Sequence, residues 1–564
     1  MPADVAEDSL DLMIELLETD EPTKASYPFP RLRRSHRIER RTFKSILLEN
    51  PHFRITVLPD LGGRIVRLED KRVQRDIWQF DAVMKPREEG PRGIEWPTGL
   101  QVRTGFDDRL NSLGPVANTL DYSEEGEAPS GIWLGEVCGD GLSLNWRVSM
   151  QDDGSHFELE VRAFNRSLRS IPYNGGLALG EGEWRKSGKD WVWSTEGGCL
   201  LVECPYLTYV DEVGLYRFNR MRQLAPRQLD SWTAKLYPSG VGASIRGATR
   251  TMHVGWDRQE MRVQGMTEVS GKAVVLTTGG QTLEVPMELS PMLMNPIPLA
   301  SLSEEISEFV FLDAERNELI RASQLDTNDA SRATDDPLTG FVGPESTETE
   351  IRIAEFDVAQ RHLAHVLVGN RQLLERDFQG AAQAFEQALL FNAEDHLSWW
   401  AKAAAERRAG SQTEERPELP NAHFLAPLEP VLRAEGFLAT EVHGKQKSAV
   451  LSPLEATPDA FVDVACVLLE SNMVQDAARW LGEAVLHADF PILRYLLSSV
   501  YLELGSMEIE AAEQVQLAVR QTPEPPFPWR EVELKALERV AAKFPADGSL
   551  RRLMQLAEKS RPPQ

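Results

Sequence analysis

The stretch from Leu48 to Leu68 limits the possible folds more than any other part of the chain. Phe53, Ile55 and Val57, then Ile65 and Leu68, recur at the two-residue period of half-buried strands. Between them, Pro59-Asp-Leu-Gly-Gly63 is turn chemistry, with Gly62 and Gly63 supplying the positive φ of a tight reversal. The pattern predicts a β-hairpin with Arg64 directly after the turn. From about Tyr27 to Pro298, short β-branched and aromatic runs alternate with Gly, Pro and Asp punctuation. Gly141 to Met150, His156 to Phe164 and Ala273 to Thr277 read as strands, and Gln281 to Leu289 as a closing strand. Many short strands joined by turns predict an antiparallel sandwich rather than a parallel α/β sheet.

The composition changes after residue 325. Asp326 to Gly340 and Gly343 to Glu350 are polar, acidic and almost free of large apolar residues, as expected of a linker. Beyond Ile351 the pattern turns helical. Ala381, Phe385, Ala388 and Ala393 stand at offsets of 0, 4, 7 and 12, Ala511, Val515, Ala518 and Pro523 repeat them, and Ala477, Leu481 and Ala484 give the first three. These residues resemble tetratricopeptide repeats, where a small residue lets paired helices approach and a larger one fills the groove. Ala477 to Ala511 is one 34-residue step, whereas Gly410 to Lys447 carries prolines and charges where a helix pair belongs, so the array reads as interrupted. The expected organisation is an N-terminal extension (1–26), a β-sandwich domain (27–325), an acidic linker (326–350) and an α-helical domain (351–564).

With 61 Lys and Arg against 87 Asp and Glu, the net charge of −26 repels nucleic-acid backbones and anionic lipid. Four scattered cysteines form neither a disulfide framework nor a complete metal site and read as structural thiols of a reducing compartment. The acidic N-terminus has no signal-peptide pattern, and no apolar run reaches the roughly 18 residues of a membrane span. A cytoplasmic location follows as the expectation. No nucleotide-binding glycine loop or zincin motif is present in the sequence, and no cofactor is expected.

Nine of the thirteen tryptophans lie between Trp78 and Trp256, a density that suits the stacking of sugar rings on aromatic planes. Gly93-Ile-Glu-Trp96 sets a carboxylate beside an indole, which suits general acid or base work. The block from Leu48 through this motif, followed by helical repeats, resembles an uncharacterised family of galactose-mutarotase-like sandwiches with C-terminal tetratricopeptide repeats. The resemblance implies an antiparallel super-sandwich followed by an α-helical repeat domain. It also implies that Glu95 sits where the concave sheet face meets a ligand. The chain continues Pro97-Thr-Gly99, where relatives often carry a His-containing stretch, which weakens a His-assisted mechanism.

Further candidates follow from the residues themselves. In Gly180-Glu-Gly-Glu-Trp184, Glu181 and Glu183 would share one face of a strand, although a solvated loop explains them equally well. Asp107 and Asp108 could hold hydroxyls or form an exposed turn, and Arg64 and Arg103 could bridge sugar hydroxyls. Trp96 and Trp184 are the candidate platforms. His253, ahead of Trp256 and Asp257, is the best-placed histidine, though a packed strand residue is the plainer reading. The expected function is a carbohydrate-active enzyme, a glycoside hydrolase with paired carboxylates. Alternatives are a mutarotase or sugar epimerase, with His253 facing Glu95 or Glu181, and a non-catalytic sugar-binding scaffold. Expected partners are a carbohydrate and, through the repeats, another protein or a second copy.

Overall fold

The computed structural model describes residues 4 to 560, apart from 24–28, 79–82, 89–92, 97–98, 106–113, 123–127, 139–140, 211–213, 300–304, 324–344, 411–417, 440–449, 456, 523–524, 526 and 545–547. Most of the segment expected to be a linker lies outside these residues. Strands end at Ser323, and the first helix, Glu345–Leu374, begins inside the expected linker.

The predicted hairpin forms as Phe53–Leu58 and Arg64–Asp70, joined by a 3-10 turn over Pro59–Leu61. Gly62 and Gly63 take φ of 69° and 63°. At Gly63 a Cβ would meet the Trp146 ring at 2.5 Å, so this turn needs glycine for space as well as for φ. The hairpin belongs to a nine-stranded antiparallel sheet. Its spatial order is Asp4–Asp20, Arg31–Glu49, Phe53–Leu58, Arg64–Asp70, Leu100–Arg103, Gly176–Leu179, Gly214–Tyr216 and Tyr209–Val210, with Arg75–Asp76 at the side. Residues expected to be an extension thus supply a 17-residue strand, Asp4–Asp20, paired along Arg31–Glu49.

An eight-stranded sheet packs face to face against the first. Its order is Glu183–Ser187, Asp190–Ser194, Cys199–Glu203, Leu229–Ser239, Phe157–Asn165, Leu142–Met150, Pro129–Val137 and Ala117–Tyr122. Alternation decides which side chains meet between the sheets. Leu144, Trp146 and Val148 of one strand and Leu159, Val161 and Ala163 of its neighbour enter the shared core with Ile55, Ile65 and Val102. Two four-stranded sheets then form a smaller sandwich, its core built from Val254, Val263, Val275 and Phe309. Thr282–Leu289 is therefore not a closing strand: Met294–Pro298, Ile306–Asp313 and Glu318–Ser323 follow it.

The helical half carries the expected small-residue spacing. Ala381, Phe385 and Ala388 lie buried on Phe378–Phe391, Ala477, Leu481 and Ala484 on Val474–His487, and Ala511, Val515 and Ala518 on Glu508–Val519. A Cβ at Gly369 of the preceding helix would meet the Phe385 ring at 2.8 Å, the close approach that the small residues permit. The interrupted region contains two short helices, Glu418–Leu425 and Pro430–Ala439. Among the described residues, no helix is long and apolar enough to cross a membrane.

The helices pack on the outer face of the eight-stranded sheet, and one hydrophobic cluster takes in Ala117, Trp133 and Phe164 together with Phe385, Trp400, Leu428 and Phe461. Polar groups cross the same boundary. Arg166 clasps Asp463 through two bonds of 3.0 and 2.7 Å and lies 3.1 Å from Glu429, whose carboxylate also accepts from Ser143 at 3.0 Å. Arg162 donates to the carbonyls of Phe424 and Leu425. The outer face of the nine-stranded sheet is left for other work.

Candidate functional site

On Leu100–Arg103, Leu100 and Val102 enter the core between the sheets, so Gln101 and Arg103 turn to the outer face. Their neighbours across the strand are Ala178 and Gly176, and beyond those come Gly214 and Tyr216. The result is a floor of small residues with Arg64, Gln101, Arg103 and Tyr216 around it.

The Gly-Ile-Glu-Trp segment crosses this face. Gly93 and Gly99 anchor it with φ of 88° and 82°, and a Cβ at Gly99 would lie 2.2 Å from the Ile65 carbonyl oxygen. Ile94 and Trp96 are buried, and Glu95 points between them toward solvent, its side chain 20% exposed. Arg103, itself buried, donates to the Glu95 carboxylate. Arg64 donates to the Trp96 carbonyl and to Gln101 Oε1, both at 2.6 Å. Arg64 thereby fixes which end of the Gln101 amide is oxygen. The Gln101 NH₂ group and the Trp96 indole N–H are buried donors with no partner among the described residues.

Arg87 links a second carboxylate to this segment. Its backbone pairs with that of Glu95, at 2.7 and 2.9 Å, while its guanidinium donates to Glu181 at 2.6 Å. Glu181 is 86% exposed and lies ahead of the strand Glu183–Ser187, so it does not alternate with Glu183 as a strand pair would. Glu183 pairs with Arg185 on that strand and is also exposed. Gly182 is exposed but lies tight against Trp193, whose indole a Cβ there would meet at 2.4 Å.

Several expectations need correction. Eight of the nine clustered tryptophans, Trp96 included, are buried, and their surfaces fill cores. Trp96 packs with Leu12, Ile14, Leu61 and Met84, and Trp184 lies partly buried against the core between the sheets. Trp96 is therefore no stacking platform, whereas Trp184 keeps part of its surface exposed. Arg64 is spent on Trp96 and Gln101, and Arg103 on Glu95, so both position the site rather than reach outward. His253 is fully buried beside Cys199, with Nδ1 3.7 Å from Sγ, and burial pushes its pKa down to about 3. A neutral imidazole enclosed in this way cannot face Glu95 across an open pocket. Asp107 and Asp108 lie outside the described residues.

Sequence reasoning missed Gln101 and Arg87. The signal for Gln101 was the alternation of Leu100-Gln-Val-Arg103, which puts it beside Arg103. For Arg87 there was none, because a backbone bridge to Glu95 leaves no local pattern. Among the described residues, no group of three or more His, Cys, Asp or Glu side chains could hold a metal, and all four cysteines are free and buried.

Residues 22–175 match the model of a domain of unknown function (DUF5107). Among solved structures, the chain is similar to a TPR-domain containing protein from Parabacteroides distasonis, with 11% identity, a TM-score of 0.34 and 96% of each chain covered. It is also similar to a galactose mutarotase-like protein from Clostridium acetobutylicum, with 10% identity and a TM-score of 0.23 over 35% of this chain and 96% of that one. A 4-alpha-glucanotransferase from Thermococcus litoralis gives 14% identity and a TM-score of 0.22 over 34% of this chain and 37% of that one.

Proposed function

We propose that this chain is a carbohydrate-active enzyme that hydrolyses a glycosidic bond on the outer face of the nine-stranded sheet, with Glu95 as its central carboxylate. The reading rests on the buried donors around Glu95 that have no partner among the described residues. Gln101 and Trp96 hold donors with no partner among the described residues, while Glu95 is oriented by Arg103 and reaches solvent. Buried donors left unsatisfied cost stability and are retained where a ligand supplies the acceptor. A sugar offers hydroxyl protons for Glu95, which reaches solvent, and ring and hydroxyl oxygens that suit the Gln101 and Trp96 donors once binding uncovers them. Glu181, tied to the same segment through Arg87, is the second carboxylate within the site, in keeping with the paired acids of glycoside hydrolysis. The buried position of His253 supports hydrolysis over a Glu–His epimerase. A screen of oligosaccharides for reducing-sugar release, run beside anomer exchange by NMR, tests the assignment. Release of reducing ends that falls in Glu95→Gln supports it, and anomer exchange without hydrolysis contradicts it.

A further inference from the structure

A cavity of about 630 Å³ lies where the helices meet the eight-stranded sheet, and it is lined from both halves of the molecule. We propose that it is a second ligand site, for a sugar-sized molecule carrying one carboxylate or phosphate, with Arg227 as the residue that binds the anion. The volume falls within the roughly 300–1,000 Å³ usual for small-molecule sites.

Arg166 and Arg530 also line the cavity, but Asp463 already occupies them, through bonds of 3.0 and 2.7 Å to Arg166 and 2.9 Å to Arg530. Arg227 differs. Its side chain is 12% exposed, and the nearest carboxylate oxygen, on Asp395, stands 3.6 Å away. Asp395 is committed elsewhere: it faces His362 at 3.1 Å and accepts from the Ser398 hydroxyl at 2.6 Å and from the amides of Leu397 and Ser398. Nε of Arg227, like that of Arg166, is buried with no partner among the described residues.

A guanidinium carries five donors in a planar fork, and burying it with a single carboxylate at 3.6 Å, already shared with other donors, is costly. The backbone holds it there in an uncommon conformation. Arg227 has φ of 58°, fixed by its N–H to the Asn165 carbonyl at 2.9 Å and by Asn392 Nδ2 to its own carbonyl at 2.9 Å. A carboxylate or phosphate offers the matching pair of oxygens. Trp400 and Trp529 provide apolar wall, and Glu470 and Ser471 can accept from hydroxyls on the ligand body. None of these groups belongs to the Glu95 site, so the two proposals stand separately. Because both halves supply the lining, the ligand binds the assembled molecule alone and raises its melting temperature.

Calorimetric titration and thermal melting of the full chain with glucose, glucuronate, glucose 6-phosphate and inorganic phosphate test this. The expected result is saturable binding of glucuronate or glucose 6-phosphate at least tenfold tighter than glucose, with a rise in Tm. The better of the two tells carboxylate from phosphate. Arg227→Gln should weaken that binding tenfold or more, and Arg227→Lys should restore part of it. Binding of neither anionic sugar above the level of glucose would overturn the proposal on the parent protein alone, even if the variants fail to fold. So would parent-like affinity in a folded Arg227→Gln, or inorganic phosphate binding as tightly as glucose 6-phosphate.

Discussion

Glu95 owes its position to the buried Gly99 and to two buried arginines, Arg64 and Arg103. Gly99 holds a φ closed to other residues and leaves no room for a Cβ against the Ile65 carbonyl. Gly99→Ala should therefore cost on the order of 1–3 kcal/mol, the usual penalty of a forced backbone, read as a lower urea midpoint. His253 makes a second prediction, in pH. Its native pKa of about 3 lies below the ordinary histidine value near 6.5 because burial penalises the charged ring. As pH falls through 6.5 the unfolded chain takes up a proton that the native chain refuses, so stability present above that pH is lost progressively down to about 3. At pH 5 this loss is about 2 kcal/mol by linkage. His253→Gln should lose less stability between pH 7 and 5 than the parent, and an equal drop in urea midpoint would contradict the assignment. The motif around Glu95 was legible in the sequence, as was the plain reading of His253 as a packed residue. The tryptophan cluster misled, because composition counts aromatic surface without telling core from cleft, and a sandwich flanked by further cores consumes most of it.

Among elements, the hairpin at Phe53–Asp70 and the helices with small-residue spacing were legible because each follows a local period. The strand Asp4–Asp20 was not. Its sequence is acidic, and its stability comes from a partner, with Glu15 bonded to Arg34, Asp11 to Arg40, Glu18 to Arg33 and Glu7 to Lys44 across the ladder. Such complementarity exists only once the register does. The second, smaller sandwich was likewise hidden, since its strands follow the first set without a break in composition. The elements that join the two halves depend on a buried ion pair: Arg166, 8% exposed, serves both Asp463 and Glu429. Burial penalises those carboxylates, yet the facing Arg166 leaves both acids below the ordinary range. Arg166→Met should leave Asp463 with Arg530 alone and Glu429 without a guanidinium, and cost roughly 3–5 kcal/mol, measured by urea unfolding. A change below about 1 kcal/mol would show that the interface is held by its apolar contacts instead.

At the scale of the molecule, the helical half shares its hydrophobic cluster and its buried charges with the eight-stranded sheet, and it has few regular repeats with which to bury its faces alone. Residues 351–564 expressed without the sandwich should lack a cooperative melt, and a cooperative, concentration-independent transition would show that the half folds independently. This packing covers one sheet and leaves the opposite one to present Glu95. Of that site, the carboxylate and its arginines were visible as residue types, but their roles were not, because the pairing of Arg103 with Glu95 and of Arg64 with Gln101 depends on strand register. The role of Glu95 is tested by comparing glycoside hydrolysis by the full chain with that by Glu95→Gln. Glutamine keeps an oxygen for Arg103 but not its counter-charge, so the variant should melt below the parent yet stay folded, and where both are folded turnover should fall by roughly 10²–10⁴, the contribution of a positioned proton-transfer group. A folded variant that turns over sugar like the parent would remove Glu95 from the chemistry.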